Sequence, residues 1–392
     1  MKKTTHILPI IVVSQFFCTS LWFAGNGVMS DLMAHFNLEE VALGYLTSSV
    51  QLGFIFGTLI FALLSFADRF SPSKLFFICA VLGAGFNLGI TWSENALTSI
   101  LIFRFFTGFF LAGIYPVGMK IAADYFEKGL GKSLGFLVGA LVVGTAFPHI
   151  LKEAKGNLPW EFVIYSTSTL AIVGGTLMVF LVPNGPYRKP SQQLNFSATI
   201  DIFKAPKFRS AAFGYFGHMW ELYAFWAFVP VIIQEINENS FNDFFNVPLS
   251  SFLIIGIGGL FCIAGGYLAQ KYGDKRIAFI ALLLSCLCCL LSPLIFILDA
   301  PLLILGFLFF WGMVVIADSP LFSTLVAQNA PVELKGTALT IVNCIGFFIT
   351  IVSIQVVNYL NTKFDSIFFL TVLAIGPILG LLSLRTKSQQ RI

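Results

Sequence analysis

Two ionisable side chains three residues apart, His218 and Glu221, stand inside a run of apolar residues from 210 to 235. In a helix that spacing puts both on one face. At about 1.5 Å per residue, Glu221 lies ~16 Å along the run. A carboxylate in a low-dielectric cavity can take up and release protons near neutral pH, and a neighbouring imidazole can share them. Tyr215, Trp220 and Tyr223 surround the pair. The alternative reading is a structural ion pair or polar tether between helices. Arg104 sits about eight residues into another apolar run. Its guanidinium keeps its proton and needs an anion, either a side chain such as Glu221 or a solute carboxylate. Asp318, just before Ser319 and Pro320, reads as a second protonation site, an inner-gate partner or a helix-end group. Gln15, Asn26, Asn343 and Gln355 either line a cavity or bridge helices. Lys120 is expected to snorkel to an interface, and His149 to be an ordinary packing residue.

No soluble domain positions these groups. Of 392 residues, 57% are hydrophobic and 11% charged, and the mean hydropathy is +0.88. A soluble domain carries roughly 25% charged residues. The apolar residues come in blocks long enough to cross a bilayer, which takes about 20 residues of helix. Twelve such spans are expected: 8–29, 41–66, 75–93, 96–120, 132–151, 161–182, 210–235, 250–270, 277–298, 302–326, 336–359 and 366–384. The first is too long for a secretory h-region and has no convincing cleavage site. With the N-terminus inside, 19 of the 23 Lys and Arg residues fall in inner segments. Lys152, Lys155 and Lys363 fall outside, and Arg104 within a span. That asymmetry predicts two cytoplasmic termini. The polar stretch 183–209, with four prolines and five basic residues, divides the chain. It predicts a first bundle over 1–182, a cytoplasmic linker and a second bundle over 210–392. A short amphipathic helix near Leu194 to Phe203 would lie on the membrane surface.

The seven cysteines all fall in apolar blocks, and the Cys286, Cys288, Cys289 cluster has no His or carboxylate at ligand spacing. No metal and no cofactor are expected. There is no HExxH, no GxSxG and no large loop for a catalytic domain, which argues against an enzyme. GxxxG-like spacings mark Gly53 and Gly57, Gly131, Gly135 and Gly139, and Gly258, Gly259, Gly265 and Gly266 as places of close helix approach. These are either bundle contacts or faces on which two halves slide.

The halves look like copies. Phe105-Phe106-Thr107-Gly108, reaching Pro116, matches Phe309-Phe310-Trp311-Gly312, reaching Pro320, at an offset of 204. Ala67-Asp68-Arg69-Phe70 matches Ala269-Gln270-Lys271-Tyr272 at an offset of 202. Transporters are commonly built from such repeats. The stretch Gly266-x-Leu268-Ala269-Gln270-Lys271-x-Gly273-Asp274-Lys275-Arg276 resembles the loop motif of the major facilitator superfamily. Its first-half copy keeps Asp68-Arg69 but lacks the glycines, with Leu64 and Ser71 in their places. Arg104-x-x-Thr107-Gly108 resembles the family's fourth-helix motif. The resemblance extends, at the level of span count, linker and repeat, over the whole chain. Within the family the chain looks most like bacterial permeases of the cyanate-permease kind. The fifth span only loosely follows the drug/proton antiporter pattern, and the second and eighth spans lack the arginines of nitrate carriers.

The resemblance implies an all-α integral membrane protein, twelve transmembrane helices in two pseudo-symmetric six-helix bundles. It implies alternating access with an inner gate of Asp68, Arg69 and Asp124, joined by Lys271, Asp274 and Arg276. Asp68 would rest on the N-terminus of the eleventh helix at Gly336-Thr337, and Arg69 would pair with Asp124. Alternatively, Asp68 and Arg69 are solvated topology charges. The function expected is secondary transport of a small solute across the cytoplasmic membrane, with protons as coupling partner and an organic anion preferred. The proton and cavity residues would be Glu221, His218, Arg104, Asp318, Tyr215, Tyr223, Gln15 and Asn343. A monomer in lipid, with no nucleic-acid partner, is expected. An efflux antiporter is the alternative within the class, and a polytopic enzyme or channel outside it.

Overall fold

The computed structural model describes residues 6–126, 130–188, 199–239, 244–298, 300–364 and 367–385. Among them are ten helices long and apolar enough to cross a membrane: Ala42–Leu63, Pro72–Thr91, Leu97–Tyr125, Ser133–Ala154, Glu161–Leu181, Pro206–Glu238, Val247–Tyr272, Asp274–Ile297, Pro301–Asn329 and Lys335–Lys363. Two shorter apolar helices, Ile7–Thr19 and Thr371–Arg385, occupy the first and twelfth expected positions. Hydrocarbon offers no hydrogen bonds to a backbone, so helices that satisfy their own N–H and C=O groups are the fitting element.

The first, fourth and tenth spans are interrupted near their middles. The first runs from Ile7–Thr19 through a turn to Ala24–Gly27 and Met29–Phe36. The fourth divides into Leu97–Leu111 and Tyr115–Tyr125, and the tenth into Pro301–Ala317 and Ser319–Asn329. In both of the latter a proline, Pro116 or Pro320, opens the following segment. Proline lacks the N–H that a continuous helix would need, so the break falls where one bond is already lost.

Glycine contacts carry the repeat into three dimensions. A Cβ on Gly108 would lie 2.0 Å from the Val50 carbonyl oxygen. One on Gly312 would lie 2.1 Å from that of Ile254. Both members of the two pairs are 204 residues apart. The second span therefore packs on the fourth as the eighth packs on the tenth. Gly53 and Gly57 serve the same contact, and Gly265 packs on Ala317 within the second bundle. Of the expected sliding faces, the structure brings together Gly139 and Gly259 across the two bundles, each 3.0 Å from the other's carbonyl oxygen if given a Cβ. Gly135 and Gly266 have open space around them. The surroundings of Gly131 lie outside the described part.

The bundles meet along two seams, fifth span on eighth and second on eleventh. Polar bonds cross them from Gln355 to Ser48 Oγ (2.8 Å), from Asn358 to the Val41 carbonyl (3.3 Å) and from Asn246 to Glu153 (2.7 Å). All three lie in the half of the molecule away from Asp68. Residues 189–198 of the expected linker are outside the described part, as are 194–198 of its expected amphipathic helix. Thr199–Lys204 is helical, and the seventh helix begins at Pro206 rather than at 210. A proline at the first helical position explains the early start.

Candidate functional site

Glu221 lies mid-helix in Pro206–Asn239 and is 1% exposed. One of its carboxylate oxygens, Oε1, accepts hydrogen bonds from Trp311 Nε1 (2.6 Å) and from Ser285 Oγ. These donors sit on the tenth and ninth spans, so the carboxylate ties three helices together with neutral partners. Trp311 is held by stacking on Phe225, with ring centroids 4.3 Å apart. On the same face, His218 Nδ1 stands 2.8 Å from Asp318 Oδ1, and both side chains are 1% exposed. Asp318 precedes the second segment of the tenth span but does not cap it. The helix break turns its carboxylate toward the seventh span. His218 Nε2 and Asp318 Oδ2 have no hydrogen-bond partner. Two buried carboxylates thus face each other's neighbourhood, Glu221 on the seventh span and Asp318 on the tenth, and His218 is the one ionisable base paired with either among the described residues.

Arg104 stands elsewhere and does something else. It is 1% exposed and does not meet Glu221. Its Nη1 donates to the Leu21 carbonyl (3.1 Å) and to Asn87 Oδ1 (3.3 Å), and its Nη2 donates to the Trp22 carbonyl. The turn at 20–23 presents both carbonyls to Arg104, that of Leu21 keeping only a long bond from Ala24 N–H (3.5 Å), and a planar fork of donors fits them. The expected pairing with Glu221 is not formed: Nη1 and Nη2 of Arg104 donate to two backbone carbonyls and to Asn87 instead.

Other expected cavity residues divide. Tyr215 donates from its hydroxyl to Asn343 Oδ1 (2.7 Å), joining the seventh and eleventh spans. Tyr223 sits in a layer of rings that bridges the bundles. Trp22 stacks on Tyr223 and on Phe347 at 5.7 Å, Phe54 lies against Phe347 at 4.6 Å, and Trp226 meets Tyr223 edge-on at 5.3 Å. Gln15 is fully buried and neither end of its amide has a partner. Asn26 donates to Thr47 Oγ1 (2.7 Å), a bridge between helices.

At the expected inner gate the residues pair within their own bundle. Lys120 has a partner there: its Nζ lies 2.9 Å from Asp68 Oδ1. Arg188 donates to the carbonyls of Asp68 (2.8 Å) and Phe70 (2.7 Å). Asp124 has Lys120 and Arg188 as its electrostatic neighbours rather than Arg69, and its carbonyl accepts from Tyr187 N–H. In the second bundle, Gln328 donates to Asp274 (3.0 Å) and Lys271 lies over the Tyr272 ring. Each bundle ties its own motif loop to the far segment of its fourth helix. The expected seat of Asp68 on the eleventh helix is replaced by Lys120, whose ammonium is a stronger partner than a helix end.

Sequence reasoning missed Ser285, Trp311, Trp22 and Asn87. A lone serine or tryptophan in an apolar helix gives no sign of its partner. The repeat alone singled out Trp311, as the position matching Thr107.

The family model described as Major Facilitator Superfamily matches residues 11–354. The chain belongs to the Major Facilitator Superfamily. Among curated relatives, this superfamily member is 26% identical over 206 residues to the putative uncharacterized transporter YgaY of Escherichia coli K12, covering 50% of each chain. It is 26% identical over 157 residues to the benzoate transport protein of Acinetobacter baylyi, covering 39% of this chain and 32% of that one. The matched stretches span half or less of these relatives' length. Among solved structures it shares the fold of the proton:xylose symporter XylE bound to 6-bromo-6-deoxy-D-glucose, with a TM-score of 0.74 and 15% identity, covering 96% of this chain and 94% of that one. The superfamily assignment makes the chain a multi-pass membrane protein and sets the membrane-enzyme alternative aside.

Proposed function

We propose that this protein is a secondary transporter of a small organic solute, coupled to protons at Glu221 and at the His218–Asp318 pair, with both termini on the cytoplasmic side of a bacterial inner membrane. The observation that carries the coupling is the pairing at midspan. Glu221 is held by two neutral donors and no cation, and Asp318 by one imidazole. Charged carboxylates so placed in a membrane are costly unless neutralised. Protonation is the means at hand, and alternating access exposes such a group to each side in turn. Ser285 and Trp311 then read the state of Glu221: both donate well to an ionised oxygen and less well to a neutral acid. Loss of that grip loosens the seventh helix from the ninth and tenth.

An organic anion is the second reading, favoured by the similarity to a benzoate carrier. Arg104 does not carry this reading: its Nη1 and Nη2 donate to the first span and Asn87, and only its buried Nε is unpartnered.

The test is to screen organic acids, sugars and amines by thermal shift and then reconstitute wild type and Glu221→Gln with the labelled solute found. The variant is expected to lose uptake driven by a proton gradient and to keep solute exchange without one. Driven uptake at the wild-type level would remove Glu221 from the mechanism. Loss of driven uptake and exchange together, with lower thermal stability, would make it a structural tether.

A further inference from the structure

A cavity of about 410 Å³ opens between the bundles in the half away from Asp68. That is within the range of small-molecule sites, about 300–1,000 Å³. Both bundles build it. Asn26 and the His149 helix wall one side, and Glu235, Glu238 and Asn358 the other. Its charge is one-sided. Among the described residues, Glu40, Glu235 and Glu238 line it, with Lys152 as the cation. Lys152 is itself held 2.7 Å from Asp31 and 2.6 Å from Ser30 Oγ. Its charge is thus met by a fourth carboxylate.

A second observation points to a ligand. His149 is 3% exposed, lines the cavity, and has no partner for Nε2. A buried ring nitrogen left unpaired is costly, and a hydrogen-bonding solute that works its way to this nitrogen would remove that cost. A metal ion does not fit the arrangement. Among the described residues no three His, Cys, Asp or Glu side chains come together closely enough to hold one. The carboxylates are spread over a wall rather than gathered at a point, which suits an extended cation.

We propose that this cavity captures a small organic cation, with an ammonium group against the glutamates and a hydrogen-bonding end on His149. One turn deeper along the first and seventh spans lie Phe23, Trp226 and Tyr223, whose ring faces attract cations. The cation would therefore have a second foothold on its way inward. Onward passage rests on the transport reading. Capture at the cavity does not.

The test uses the purified full chain in detergent and three probes: choline, ethanolamine and 1,4-diaminobutane. Each is compared with an uncharged analogue of matched size by saturation-transfer NMR and equilibrium dialysis. At least one probe is expected to bind saturably and at least tenfold more tightly than its analogue. Glu40 and Glu238 are exposed, so Glu40→Gln with Glu238→Gln is expected to leave the melting temperature unchanged while weakening that probe at least tenfold. His149→Gln checks the other end and is expected to weaken it about threefold. Glu221→Gln is expected to leave binding intact, so failure of the proton reading would not be mistaken for failure of this one. Three outcomes would overturn the proposal: no saturable binding by any probe, undiminished binding in the double variant, or benzoate displacing the probe from wild type at equal concentration.

Discussion

The two bundles solve one geometric problem with opposite charge. In the first, Arg104 on the fourth span gathers the first span through Leu21 and Trp22 and the third through Asn87. In the second, Glu221 on the seventh span gathers the ninth through Ser285 and the tenth through Trp311. By the repeat, first, third and fourth spans correspond to seventh, ninth and tenth. The same trio of helices is therefore pinned in each bundle. What differs is whether the pin can change. A guanidinium keeps its charge, and backbone carbonyls cannot be titrated. A carboxylate held by neutral donors can take a proton. Under the proposed proton coupling, the first bundle would keep a fixed polar centre while that of the second would switch.

Arg104→Leu should break this contrast most severely. It leaves the Leu21 and Trp22 carbonyls and Asn87 without their donor, at about 1–3 kcal/mol for each buried group. Thermal unfolding in detergent should fall sharply, and Arg104→Lys should restore only part of it, because a single ammonium cannot span the fork. Normal melting combined with altered solute affinity would instead make Arg104 a ligand.

The repeat itself is tested by Gly108→Ala and Gly312→Ala. Each puts a methyl group about 2 Å from a backbone carbonyl oxygen, forcing two helices apart at a cost of roughly 1–3 kcal/mol. The two losses should be similar. A large loss in one bundle and none in the other would mean that the second–fourth and eighth–tenth contacts are not equivalent.

Asp68→Asn should have the smallest effect. The Asp68–Lys120 pair is partly exposed, and such pairs contribute at most about 1 kcal/mol. Because Lys120 belongs to the same bundle, the substitution should leave cysteine accessibility across the bundle seam unchanged. Increased labelling from the Asp68 side would restore this residue to a gate between the bundles.

Span number, the duplicated unit and the shared face of His218 and Glu221 follow from the order of residues alone. Apolar blocks of bilayer length permit little but helices. A spacing of three fixes a face wherever the helix ends up. The offset of 204 carried further than the motif it was read from, since it holds for the Val50–Gly108 and Ile254–Gly312 contacts. The choice of partner belongs to the tertiary structure. Most of these spans are apolar on every side, so no stripe records which neighbour a polar residue faces. Arg104 was free to seek any anion until the first span broke at 20–23 and presented carbonyls in reach. Asp318 was a helix-end residue until the break before Ser319 turned it onto His218. Both outcomes depend on where a helix stops and what it packs against, and those are decided by the chain as a whole.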